Sequence, residues 1–183
     1  MAGPRIEPLF SAATIRARVD ELAARIAHDY RDSPLTLICI AEGARRFTDD
    51  LWVRLVARGL RPERLDVRAR RSAGTSLGPI AIDPFDPEPL EGRDVLVLDD
   101  IADEGRTLRA LLEIVALGEP RSLKTAVLLD KPERRREPVA LDYVGFRVER
   151  GWVVGYGMDL DGEYRELDWI GVLVDEPSSG RRD

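Results

Sequence analysis

The run Val95-Leu-Val-Leu-Asp99-Asp100-Ile-Ala-Asp103-Glu104-Gly105-Arg106-Thr107-Leu108 decides the fold. A continuous apolar strand begins at Asp94 and ends in two carboxylates. A short loop with one glycine follows, and Thr107 to Leu117 reads as a helix stopped by Gly118. In open α/β sheets, ligands sit beyond the carboxyl ends of the strands. A loop that enters a helix presents unpaired amides and the positive end of the helix dipole, which suits a phosphate monoester. Gly105 lets the backbone come close, and Thr107 can add a hydroxyl. Two carboxylates at a strand end can accept hydrogen bonds from a vicinal diol, although acidic pairs after strands also serve merely as turn caps. A phosphate and a diol are the two parts of a ribose 5-phosphate.

Reading outward, strands alternate with helices. Ser11 can cap a helix to about Tyr30, with Ile15, Val19, Leu22 and Ile26 as its apolar stripe. Leu35 to Ile40 is a buried strand. A helix with Phe47, Leu51 and Leu55 on one face follows it and stops at Gly59. Leu65 to Ala69 and Ile80 to Ile82 read as a strand and its return across a loop, and Leu123 to Leu129 as another buried strand. Short apolar stretches close the chain at 143–148, 152–156 and 169–174. The alternation predicts an α/β domain with a largely parallel sheet. One domain is expected over 1–176, with a polar, disordered tail over 177–183.

Composition narrows the partners. The 183 residues carry a net charge of −6, which gives no bulk attraction for nucleic acid or anionic lipid. A phosphate ligand therefore needs a local site. No apolar run approaches the ~20 residues that span a bilayer, and no signal core is present, so no membrane partner and a cytoplasmic location are expected. Cys39 is the only cysteine, which rules out an intrachain disulfide. In a buried strand it reads as core, and the only histidine, His28, as a surface residue of the first helix.

A second constellation lies between Lys131 and Arg165. Lys131, just past a strand, can donate to a carbonyl oxygen. Trp152 offers a flat face for stacking. Asp159 is a carboxylate for a divalent cation, since Mg2+ takes one or two carboxylates plus substrate oxygens. Arg165 can fork onto a phosphate. Each alone is more often an ordinary surface or core residue.

Together the two constellations resemble the type I phosphoribosyltransferases. Within that family, LLDKPERR (128–135), DYVGF (142–146), VVGYGMD (153–159) and Tyr164-Arg165-x-Leu167 resemble the purine half of the hypoxanthine-guanine phosphoribosyltransferases. The resemblance is clear over about 94–173 and weaker over 35–93. It implies a mostly parallel sheet flanked by helices, with a small hood formed by the terminal segments. It implies transfer of the 5-phosphoribosyl group of phosphoribosyl pyrophosphate (PRPP) to a 6-oxopurine base, with Mg2+, in a homodimer or homotetramer. Asp99 and Asp100 would hold the ribose hydroxyls, and Asp103, Glu104, Gly105, Arg106 and Thr107 would cradle the 5-phosphate. Asp103 would be the general base. Lys131 would donate to the 6-oxo group, Trp152 would stack on the base, and the Val153 backbone would meet its far edge. Asp159 would join the purine site and, with Asp99 and Asp100, the metal site. Glu42, Gly43 and Arg165 would face pyrophosphate, and Arg71, Ser72 and Ala73 would belong to a closing lid.

Three positions depart from the common pattern. Glu42 is acidic where a basic or neutral residue is usual, so it must point away, face Mg2+ or pair with Arg45 or Arg46. Ala73 stands where the lid often has tyrosine. Together, Glu42 and the missing tyrosine motivate a second reading, a catalytically impaired regulator that binds PRPP or nucleotide. Glu104 lies inside the phosphate loop. A carboxylate ~6 Å from a phosphate dianion, at an effective dielectric of ~20, costs about 5 kcal/mol. Glu104 is therefore expected to face water, with only its N–H toward the phosphate.

Overall fold

The computed structural model describes residues 5–71, 80–149 and 151–174, with the backbone only at 70 and 71. The Arg71 side chain, Ser72, Ala73 and the tail 177–183 lie outside the described residues.

Among the described residues, nine strands and three longer helices follow in the order β1 (Ile6–Phe10), α1 (Ala12–Asp29), β2 (Leu35–Ala41), α2 (Arg45–Ala57), β3 (Glu63–Arg71), β4 (Ile80–Ile82), β5 (Asp94–Ala102), α3 (Arg106–Ala116), β6 (Ser122–Asp130), β7 (Tyr143–Arg147), β8 (Val153–Val154) and β9 (Ile170–Leu173). Six strands form one sheet in the order β4-β3-β2-β5-β6-β7. Five of them are parallel, and β4 returns antiparallel along β3.

Alternation along each strand builds the two faces. Leu96 and Leu98 of β5 pack with Ile15, Leu22, Phe47 and Leu51 of α1 and α2. Val95 and Val97 pack the opposite way, with Leu108, Leu111 and Val115 of α3. The Ser11 side chain accepts the Thr14 N–H and caps α1, as its sequence position predicts.

Two features exceed what the pattern showed. β5 does not stop at its apolar run. It stays paired with β6 through Asp99↔Val127, Ile101↔Leu129 and Ala102↔Asp130, so both acidic residues are strand residues. The second feature is β1, which has no strand signature of its own. It pairs antiparallel with β9, and β8 completes a three-stranded sheet. The stacked rings of Phe10 and Phe146, 4.1 Å between centroids, join this sheet to the end of β7. The terminal segments thus form the expected hood.

The topology also locates the site. From β2 the chain steps outward to β3 on one side, and from β5 to β6 and β7 on the other. The order reverses between β2 and β5, and ligands of open α/β sheets bind at the carboxyl ends of such a pair. There the turn after β2 meets the end of β5, Gly43 against Asp100.

Candidate active site

The last turns of β5 carry the acidic pair. Asp99 is buried and Asp100 partly so. Burial, then the charge of Asp100, pushes the Asp99 carboxyl well above the usual carboxylate range. Burial also raises Asp100, opposed by neighbouring hydrogen bonds and by the positive charge of Arg165. Asp100 packs directly on the turn after β2. A Cβ on Gly43 would lie 2.1 Å from Asp100 Oδ2, so no other residue fits there without displacing that carboxylate.

Residues 103–107 form the loop and the first turn of α3. Gly105 is the residue before the helix and has φ of 86°, a conformation that favours glycine. The amides of Asp103, Glu104 and Gly105 make no backbone hydrogen bond among the described residues. Asp103, Glu104, Gly105, Arg106 and Thr107 line one small recess with Asp99. Arg134 Nε lies 3.0 Å from Asp103 Oδ1, off the hydrogen-bonding axis, so that oxygen has no directional donor.

Glu104 corrects the sequence expectation. Its side chain is buried rather than water-facing. Arg106 Nε lies 3.6 Å from one carboxylate oxygen and Arg136 Nε 3.4 Å from the other. Two guanidinium groups offset the charge that solvent was expected to screen.

The base-side residues converge. Asp100, Ile101, Lys131, Trp152, Val153, Met158 and Asp159 line a cleft of about 200 Å³. Lys131 is 3% exposed, and its Nζ donates to Gly151 O at 2.6 Å. Burial lowers its pKa, an effect opposed by the nearby Asp103 carboxylate. Trp152 is 48% exposed, open for a stacking partner, and its Nε1 donates to Asp159 O at 3.3 Å.

On the pyrophosphate side, Glu42 pairs with Arg45 at 3.4 Å and Arg68 at 3.4 Å. Of the three ways to accommodate Glu42, the structure shows an arginine pair. Arg46 is otherwise engaged. It donates to Leu167 O at 2.8 Å and lies 4.8 Å from the Tyr156 ring centroid, which ties α2 to the 155–167 segment. Arg165 is ion-paired with Asp159 at 2.6 Å and donates to Gly157 O at 2.6 Å.

Among the described residues, no group of three or more His, Cys, Asp or Glu side chains is arranged to hold a metal. Asp99, Asp100 and Asp159 therefore do not form a closed cage, because Asp159 is turned onto Arg165. The donors still suit Mg2+, which takes one or two carboxylates and keeps water and substrate phosphate oxygens in its remaining positions. Asp99 and Asp100 are such a pair, the first buried and the second partly so.

Sequence reasoning missed Arg134 and Arg135. The second donates to Asp103 O, Ala102 O and Asp130 Oδ1. Their signal was present in the basic run 134–136, but a charge run on a short connection reads as solvated surface. Cys39 is core, and burial raises its thiol to about 11.

Known proteins share this fold. The phosphoribosyl transferase domain model matches residues 8–161. The hypoxanthine-guanine phosphoribosyltransferase of Mycobacterium avium is 38% identical over 171 residues, 90% of this chain and 84% of that protein. A hypoxanthine phosphoribosyltransferase structure from Staphylococcus aureus superposes with a TM-score of 0.87 at 31% identity, covering 95% of this chain and 94% of that one. The Trypanosoma cruzi hypoxanthine phosphoribosyltransferase, solved with its product IMP, gives 0.86 at 36% identity, covering 97% of each chain. With the domain model matching most of the chain and well over two thirds of each relative covered at 31–38% identity, the chain belongs to the hypoxanthine-guanine phosphoribosyltransferases of the phosphoribosyl transferase domain family.

Proposed function

We propose that this protein transfers the 5-phosphoribosyl group of PRPP to the ring nitrogen of a 6-oxopurine, hypoxanthine or guanine, releasing pyrophosphate. The observation that carries this is one cleft joining a buried lysine, an exposed tryptophan face and the Asp100 end of the acidic pair. Lysine is a pure donor. It matches a 6-oxo acceptor and opposes the 6-amino group of adenine.

Each residue then has a task. Asp99 and Asp100 hold the ribose hydroxyls. The amides of 103–107, with the Thr107 hydroxyl, cradle the 5-phosphate at the positive end of α3. Asp103, whose side chain is one quarter exposed, accepts the purine ring proton as the new bond forms. Lys131 donates to the 6-oxo oxygen, Trp152 covers the base, and the Val153 backbone meets its far edge. Gly43 and the backbone at Glu42 hold pyrophosphate with Arg165, which must exchange Asp159 for the ligand. Asp99 and Asp100, together with Asp159, would hold Mg2+, which would supply positive charge for the leaving pyrophosphate. Positioning and electrostatics supply most of the rate, since no covalent nucleophile is needed.

No helix among the described residues is long and apolar enough to cross a membrane. The proposed place of action is the cytoplasm. The proposed assembly is a homodimer or homotetramer, which sedimentation would measure.

The test is a steady-state assay with Mg2+ and PRPP, offering hypoxanthine, guanine, xanthine and adenine in turn. Nucleotide is expected from 6-oxopurines and not from adenine. Binding of PRPP without turnover on any base would instead identify a regulator.

A further inference from the structure

The carbonyls of Ala102, Asp103 and Glu104 face one way. Ala102 O accepts the Lys131 N–H at 3.0 Å and Arg135 Nη2 at 2.8 Å. Asp103 O accepts Arg135 Nε at 3.0 Å. Glu104 O accepts the N–H groups of Arg136 and Glu137, both at 3.0 Å. In a trans planar peptide the C=O and the next N–H point in opposite directions. Three carbonyls turned toward residues 131–137 therefore turn the amides of Asp103, Glu104 and Gly105 the other way. Those are the amides left without backbone partners.

Arg135 is held firmly while it does this. Its side chain is 16% exposed, and Nη2 also donates to the buried Asp130 carboxylate at 2.7 Å. Gly105 packs on it, since a Cβ there would lie 2.8 Å from Arg135 Cδ. The guanidinium thus spans two loop carbonyls and a fixed carboxylate at the end of β6, a geometry that needs a planar fork.

We propose that Arg135 is a positioning residue for the 5-phosphate site: by gripping the Ala102 and Asp103 carbonyls, it presents the amides of Asp103 and Glu104 to the phosphate before the phosphate arrives. The inference rests on reading the loop as the 5-phosphate cradle. Arg135 touches no substrate. It removes the reorganisation that a loose loop would undergo on binding, which is how preorganised donors gain their effect.

Two variants separate this role from mere neutralisation of Asp130. Arg135→Lys keeps a cation beside Asp130 but has no fork for two carbonyls. Arg135→Met removes both. Calorimetric titration with ribose 5-phosphate, and separately with pyrophosphate, reads the two halves of the site, and melting temperature reads stability. In Arg135→Lys, ribose 5-phosphate affinity should fall roughly tenfold or more, as for other outer-shell partners, while pyrophosphate affinity and the base KM change less than about twofold. Arg135→Met should lose at least as much, and if it does not fold, the lysine variant carries the test. Ribose 5-phosphate affinity within about twofold of wild type in Arg135→Lys would overturn the proposal, as would an equal loss for pyrophosphate. Wild-type protein that binds no ribose 5-phosphate would overturn the reading of the loop instead.

Discussion

The buried carboxylate of Asp99 accepts the N–H of Asp100 at 3.0 Å and shares its surroundings with the Asp100 carboxylate. The pair is suited to a diol and a cation, and it is unfavourable without them. Burial and mutual repulsion disfavour the charged forms of both. Asp99→Asn keeps an oxygen for the Asp100 N–H and adds a donor that Asp100 can accept. The variant should therefore be more stable than wild type, by ~1 kcal/mol, or about 2–4 °C in Tm for a domain of this size. Its KM for PRPP should rise. A lowered Tm would show that the pair is not a stored cost.

Asp103 tests the chemistry. Its Oδ1 lies 3.0 Å from Arg134 yet keeps no directional donor. Asp103→Asn should lower kcat by ~10²–10⁴, the usual worth of a general base, with PRPP affinity changed far less. Rapid-quench kinetics would separate the steps. An unchanged rate of bond formation would remove Asp103 as the base.

The readable parts of this site and the unreadable ones have different physical origins. Lys131, Trp152 and Asp159 were singled out by residue type and by the order of their motifs, and the fold brings the three to one cleft. The strand–loop–helix from Asp94 to Ala116 was legible because its apolar period and its glycine are local signals. What failed was the environment of charge. Glu104 was expected in water because a lone carboxylate near phosphate is unfavourable, but two arginines surround it, one of them 32 positions away. β1 went unread because its partner β9 lies at the far end of the chain.

Glu104 makes that lesson measurable. Arg136 is more than half exposed, so its pairing with Glu104 is worth only ~0.5–1 kcal/mol. Arg136→Ala leaves the carboxylate less neutralised beside the 5-phosphate and should raise the PRPP KM by roughly two- to fivefold. Adding Glu104→Gln should restore it, because the charge that needed offsetting is gone. A double variant no better than Arg136→Ala would show that Arg136 attracts the phosphate directly.

Lys131 sets base choice. Its ammonium is buried and fixed by Gly151 O at 2.6 Å, so it cannot swing aside to admit a 6-amino group. Lys131→Ala should lower kcat/KM for hypoxanthine and guanine by at least ~10-fold, since hydrogen bonds to charged groups contribute about 1.5–3 kcal/mol. It should narrow the gap to adenine. An unaltered base profile across the four purines would assign the discrimination elsewhere in the cleft.

At the opposite end of β5, Asp94 governs acid stability. Arg121 donates to its carboxylate, with Nε at 3.1 Å, and the Ser122 hydroxyl donates at 2.6 Å. The Arg121 hydrogen bond, working against burial, holds the Asp94 carboxyl well below the usual carboxylate range. A folded pKa below the unfolded value of ~3.9 favours the folded state above that value. The contribution is lost as pH falls through the folded value. Asp94→Asn should therefore be less stable than wild type at about pH 7, and chemical denaturation curves of the two should draw together as pH falls below ~4. A stability gap that stays constant through the acid range would show that the charge of Asp94 is not its source.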